Sequence, residues 1–124
     1  MSNFRLTLLR HGATVAPKGM LIGHTDLPLS ALGEQQLASR NDHFARFPPS
    51  SISSSDLGRC AGFARQLAAM SGLDCHIDRN LREMNFGELD GLAKTQWSEQ
   101  QQAAWALWSH NPEENTAVGI ESWV

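Results

Sequence analysis

Only two cysteines, Cys60 and Cys75, occur in the 124 residues, and they form neither a CxxC pair nor a zinc-ligand spacing. A disulfide framework is thereby excluded, and a reduced, cytoplasmic setting is expected. Charge of either sign is scarce as well: ten Lys and Arg stand against thirteen Asp and Glu, giving a net charge of -3 and a pI near 5.9. That balance excludes a bulk electrostatic grip on nucleic acid or on an anionic membrane. Any anion must be held by a local cluster of donors. No basic stretch at the start leads into a long apolar run, so no secretory signal is expected, and no apolar segment approaches the length of a membrane span. What remains is a chain with 41% hydrophobic and 19% charged residues, the size of one domain and large enough for one real core.

Residues 4–9 form a short apolar run halted by Arg10-His11-Gly12, the pattern of a buried strand in an α/β sheet. Residues 13–29 carry glycines and prolines without a steady period and read as a loop. Ser30 offers an N-cap for a helix over residues 31–44, whose Gly33 implies close packing or an early turn. Phe47-Pro48-Pro49 ends it, and a short strand around Ile52 fits the Ser-rich stretch that follows. Ser55 or Asp56 is placed to cap the next helix. There Leu57, Cys60, Ala61, Ala64, Leu67 and Ala68 follow helical spacing, and Gly72 marks the C-terminus. Residues 75–77 read as another strand, 81–92 as a loop, and 95–109 as a helix ended by Asn111-Pro112. The tryptophans at 97, 105, 108 and 123 all lie in the last stretch, with Trp105 and Trp108 on one helical face suited to core packing. Residues 119–124 look like the start of another element. Alternating strands and helices predict a mostly parallel sheet covered by helices.

The end of the first strand is where such a sheet places a ligand. Arg10 there offers a guanidinium that can clamp phosphate oxygens in a bidentate way, and Gly12 lets backbone N–H groups approach an anion. Between them a neutral His11 can attack phosphorus and hold the phosphoryl group covalently. Taken alone, the tripeptide reads as a surface histidine beside a solvated arginine. Three further segments shift the balance. Arg59 lies in the first turn of a helix, where free N–H groups and the dipole already favour anions. Glu83 is a carboxylate in a glycine-bearing loop and, when protonated, can serve as general acid for a leaving oxygen. Residues 23–30 supply a turn leading into a capped helix.

Together these segments resemble the histidine phosphatase superfamily, the phosphoglycerate-mutase-like enzymes. Leu9-Arg10-His11-Gly12-Ala13-Thr14 is similar to its RHG-x-T signature, and residues 26–33 to its D-x-P-L-S-x-x-G segment. Ser54-Ser55-Asp56-Leu57-Gly58-Arg59-Cys60 resembles S-S-D-L-x-R-A, and residues 81–91 resemble L-R-E-M-x-F-G-x-x-x-G. The resemblance implies a three-layer α/β fold, a mostly parallel sheet with helices on both faces, incomplete at the C-terminus. Residues 1–124 would form a single domain that is the N-terminal portion of that fold. It also implies His11 as nucleophile, Glu83 as proton donor, and Arg10, Arg59 and Thr14 around the phosphate. No metal or organic cofactor is implied. The short spacer between His11 and Gly23 and the block from Glu83 to Gly87 look like the alpha-ribazole phosphatase branch, which acts in cobalamin assembly.

One departure bears on activity. The family carries a second pocket histidine well beyond its G-E-S segment, whereas this chain ends two residues after Gly119-Ile120-Glu121-Ser122. His24, His43, His76 and His110 all read as surface or packing residues, and Phe63 stands where the family often has threonine. The first expectation is therefore a phosphatase for a small phosphate monoester, working through phospho-His11 with feeble turnover in this chain. A truncated or degenerate relative that binds phosphate or a partner without turnover is the second, and a generic α/β interaction module the third. An incomplete sheet also predicts an exposed edge and self-association as a homo-oligomer.

Overall fold

The computed structural model describes residues 3–113 and 118–122. Its elements are α1 (Ala31–Ala38), α2 (Asn41–Arg46), β1 (Ile52–Ser54), α3 (Gly58–Ser71), β2 (Cys75–Ile77) and α4 (Glu99–His110), with 3-10 turns at Arg79–Leu81, Gly87–Leu89 and Lys94–Gln96. The strands β1 and β2 pair in parallel, Ile52 opposite Cys75 and Ser54 opposite Ile77, and α3 crosses between them as a βαβ unit. Apolar spacing along α3 buries Ala61, Phe63, Ala64, Leu67 and Ala68, and Gly72 ends the helix in the left-handed conformation. Phe63 joins Leu37 and Leu67 in one core cluster, against which Leu29, Phe44 and Ile52 pack.

The segment 4–9 departs from the expected strand. Among the described residues it has no ladder partner, and Phe4 and Leu8 are 89% and 86% exposed. Apolar patterning makes a strand only where another strand supplies its hydrogen bonds. The expected helix over 31–44 is two helices. The Ser39 hydroxyl donates to Gln36 O at 2.6 Å and Arg40 N closes a tighter turn on Leu37 O at 2.9 Å, interrupting the i to i-4 ladder. Ser30 does cap α1, accepting from Gly33 N at 3.1 Å. Neither Ser55 nor Asp56 caps α3. Leu57 occupies that position, and Gly58 N donates instead to Asp26 Oδ1 at 2.9 Å.

The second core lies beneath the C-terminal half. Ser98 opens α4 in a capping box with Gln101. The helix then brings Trp108 onto Leu89, Trp97, Val118 and Ile120, and Trp105 stacks on Trp108 at 5.1 Å between ring centroids. Residues 118–122 form no helix or strand, and Trp123 lies outside the described residues. Among the described residues, no helix is long and apolar enough to cross a membrane.

Candidate active site

The loop carrying His11 is seated on the first turn of α1. Ser30 donates to Ala13 O from its backbone N–H at 2.9 Å and from its hydroxyl at 3.2 Å, while Ala13 N donates to Gln36 Oε1 at 2.8 Å. Two glycines permit this contact. A Cβ on Gly12 would stand 2.2 Å from Gly33 O, and one on Gly33 would stand 1.9 Å from Ala13 O. The two motif blocks that contain them therefore meet backbone to backbone. Thr14 bridges Leu29 in antiparallel fashion, and its hydroxyl accepts from Ala16 N at 3.3 Å.

The half-buried His11 ring places Nδ1 2.7 Å from Gly12 O. A carbonyl only accepts, so Nδ1 carries a proton, and the neutral form of the ring has its lone pair at Nε2. Arg10 and His11 line a groove of about 500 Å³ whose other wall includes Gln36, Arg40 and His43. Among the described residues no carboxylate lines that groove, so the guanidiniums of Arg10 and Arg40 favour an anionic occupant. The His43 ring packs on Phe44 and Phe47, as a packing histidine should, with centroids 5.2 and 5.3 Å apart. Its place on the groove was not foreseen. The available signal is the spacing of Arg40 and His43, three residues apart on one helical face.

Arg59 and Glu83 are not among the residues lining this groove. The Arg59 side chain is buried, 2% exposed, and donates from Nη2 to Gly23 O at 2.6 Å and from Nη1 to Thr25 O at 2.7 Å. Its Nε–H is buried without a hydrogen-bond partner among the described residues. Glu83 is exposed, and its Oε1 accepts from Met84 N at 2.8 Å. Arg82 does not engage Glu83; it forms a bidentate pair with Asp56, both hydrogen bonds at 2.6 Å. The Arg82 hydrogen bond holds the Asp56 carboxyl below its ordinary value, and Asp56 in turn raises that of Arg82.

Between Arg59 and the Glu83 loop runs the turn 23–25, and its anchor is Asp90, which no sequence signal singled out. Asp90 Oδ2 accepts from Gly23 N, His24 N and Phe86 N at 3.1, 2.9 and 3.2 Å, and Oδ1 from Thr25 N at 2.9 Å and from the Thr25 hydroxyl. Burial pushes this carboxyl up, but the Thr25 hydroxyl and the backbone donors outweigh it and leave the pKa lowered. Met84 O closes the other side so tightly that a Cβ on Gly23 would stand 1.9 Å from it. The predicted residues thus fall into two neighbourhoods: Arg10, His11 and Thr14 around the start of α1, and Arg59 with the Glu83 segment around the turn 23–25.

The glucosyl-3-phosphoglycerate phosphatase of Mycobacterium tuberculosis is 37% identical over 93 residues, which is 74% of this chain and 42% of that protein. A solved mycobacterial glucosyl-3-phosphoglycerate phosphatase in complex with inorganic phosphate superimposes with a TM-score of 0.73 at 30% identity, over 90% of this chain and 52% of that one. The alpha-ribazole phosphatase from Shigella flexneri shares the fold, with a TM-score of 0.80 at 24% identity over 93% of this chain and 57% of its own. The chain thus spans about half the length of the relatives it matches. The model of the histidine phosphatase superfamily (branch 1) matches residues 6–124, and the chain belongs to that superfamily.

Proposed function

We propose that this chain is the phosphate-handling portion of a phosphatase that hydrolyses a small phosphate monoester through phospho-His11. The observation that carries this reading is the His11 ring. It lies in a groove shared with Arg10 and Arg40, with Nδ1–H directed at Gly12 O, so that the neutral form of the ring offers its lone pair at Nε2. In the first step Nε2 attacks phosphorus, the P–O ester bond breaks, and Glu83 gives its proton to the leaving oxygen. Water then attacks the phosphoryl group, the P–N bond breaks, and Glu83 takes back a proton. Arg10 and the free N–H groups of Arg59 stabilise the charge that spreads over the phosphoryl oxygens. This reading requires the Arg59 neighbourhood and the His11 groove to meet on one bound phosphate, with Thr14 at its edge. The free thiols Cys60 and Cys75 suit a cytoplasmic location.

Two substrates are favoured by specific observations. The spacer from His11 to Gly23 and the Glu83–Gly87 block support alpha-ribazole phosphate, while the 37% identity to the mycobacterial enzyme supports glucosyl-3-phosphoglycerate. Comparing kcat/KM on the two esters separates them. The catalytic reading itself is tested by hydrolysis of a generic aryl phosphate by the purified chain and by His11→Ala. Weak turnover abolished by the substitution supports it. Turnover that survives His11→Ala removes the nucleophile, and phosphate binding with no turnover in either chain favours a non-catalytic phosphate binder.

A further inference from the structure

We infer that Asp90 is a positioning residue for Arg59, acting through the peptide groups of residues 23–25. This deepens the phosphatase reading and rests on Arg59 being a phosphate ligand. The turn has two polar edges. On one, the N–H groups of Gly23, His24 and Thr25 converge on the Asp90 carboxylate at 3.1, 2.9 and 2.9 Å. On the other, the carbonyls of Gly23 and Thr25 hold the two terminal nitrogens of Arg59 at 2.6 and 2.7 Å. The carboxylate therefore fixes the Gly23–His24 peptide plane, whose N–H it holds and whose oxygen Arg59 holds, and anchors Thr25 by its N–H and hydroxyl.

The arrangement leaves Arg59 prepared for an anion. Of the five N–H groups of a guanidinium, the two carbonyl contacts consume two. Nε–H is buried with no partner among the described residues, a state that costs free energy unless a ligand completes it. A rotation of the turn would carry the guanidinium with it. Little room exists for such a rotation, because a Cβ on Gly23 would meet Met84 O at 1.9 Å and one on Gly91 would meet the Thr25 hydroxyl at 2.7 Å. Asp90 contributes no atom to the His11 groove, so its influence on phosphate must pass through the turn.

The test is a double-mutant cycle on the full 124-residue chain, with inorganic phosphate as the probe and calorimetry as the readout. The variants are Asp90→Asn, Arg59→Lys and their combination, with circular dichroism reporting the fold. Asp90→Asn should weaken phosphate binding about tenfold, within the range of coupling inside one hydrogen-bonded network. In the Arg59→Lys background it should cost almost nothing more. Thr25→Val, which removes only the hydroxyl donor to Asp90, serves as the milder variant if Asp90→Asn does not fold, and should weaken binding in the parent but not beside Arg59→Lys. Losses that multiply, or variants at Asp90 and Thr25 that leave binding unchanged, overturn the positioning role alone. A parent chain without phosphate affinity, or an Arg59→Lys chain that binds as the parent does, overturns the phosphate role of Arg59 and the inference with it.

Discussion

Arg59 and Asp90 grip opposite edges of the same three residues. Gly23 and Thr25 give their carbonyls to the guanidinium at 2.6 and 2.7 Å and their N–H groups to the carboxylate at 3.1 and 2.9 Å. A buried cation and a half-buried anion are thus linked through a peptide segment rather than by touching each other. The motif arginine is held by the backbone of the turn that leads into the second motif block, and that turn is held by Asp90 near the end of the fourth.

The lowered Asp90 pKa makes this arrangement sensitive to acid. A carboxyl whose folded value lies below its unfolded value contributes stability that is complete above about pH 4 and is lost as pH falls through the folded value. Denaturant melts between neutral pH and pH 3 should show that loss, and Asp90→Asn should flatten it. An acid limb of the same steepness in both chains would assign the sensitivity elsewhere.

Gly33→Ala should loosen the seat of His11. The added methyl would stand 1.9 Å from Ala13 O, a backbone atom that cannot swing aside as a side chain can. Overpacking of this kind costs at least about 1–3 kcal/mol, visible as a fall in Tm of several degrees. Because the strain falls on Ala13, aryl-phosphate turnover should drop further than stability alone accounts for. A variant as stable as the parent would contradict the close approach.

How much of this was legible follows from how local each signal is. The Ser30 cap, the Gly72 terminus, the spacing along α3 and the face shared by Trp105 and Trp108 depend on neighbours within one helix turn, and all were read from the sequence. The four motif blocks singled out Arg10, His11, Arg59 and Glu83 as candidates, but carried no sign of the division of these residues between two neighbourhoods. The failures are non-local. Residues 4–9 carry a strand's apolar pattern with no strand beside them among the described residues, and Asp56, a plausible cap, is drawn away by Arg82 from 26 residues along the chain. Asp90 had no signal, because its partners are mostly backbone N–H groups 65 to 67 residues away, and backbone donors leave no residue type to recognise.

Leu89→Ala should expose how much the C-terminal core contributes. Leu89 is 0% exposed and packs with Trp97, Trp108, Val118 and Ile120. Truncation of such a residue costs about 2–5 kcal/mol by lost transfer and cavity formation. Chemical denaturation should register that loss together with a change in tryptophan fluorescence. A cost below 1 kcal/mol, by the same relation, would mean that this cluster collapses around the gap.

Arg10→Ala should act on catalysis rather than on folding, since Arg10 is exposed and lines the groove beside His11. Removal of one donor to the developing phosphoryl charge should lower kcat/KM for an aryl phosphate by about a hundredfold or more, with Tm unchanged. Equal activity in parent and variant would remove Arg10 from the phosphate site.

Under the proposed function the phosphoryl group passes through His11. Its most direct measurement is mass spectrometry of the chain quenched during aryl-phosphate hydrolysis, under alkaline conditions that preserve phosphohistidine. A phosphoryl group should appear on His11 alone, attached at Nε2 because Nδ1 donates its proton to Gly12 O. Phosphate released with no phosphoryl group on His11, or a group located on another residue, would contradict it.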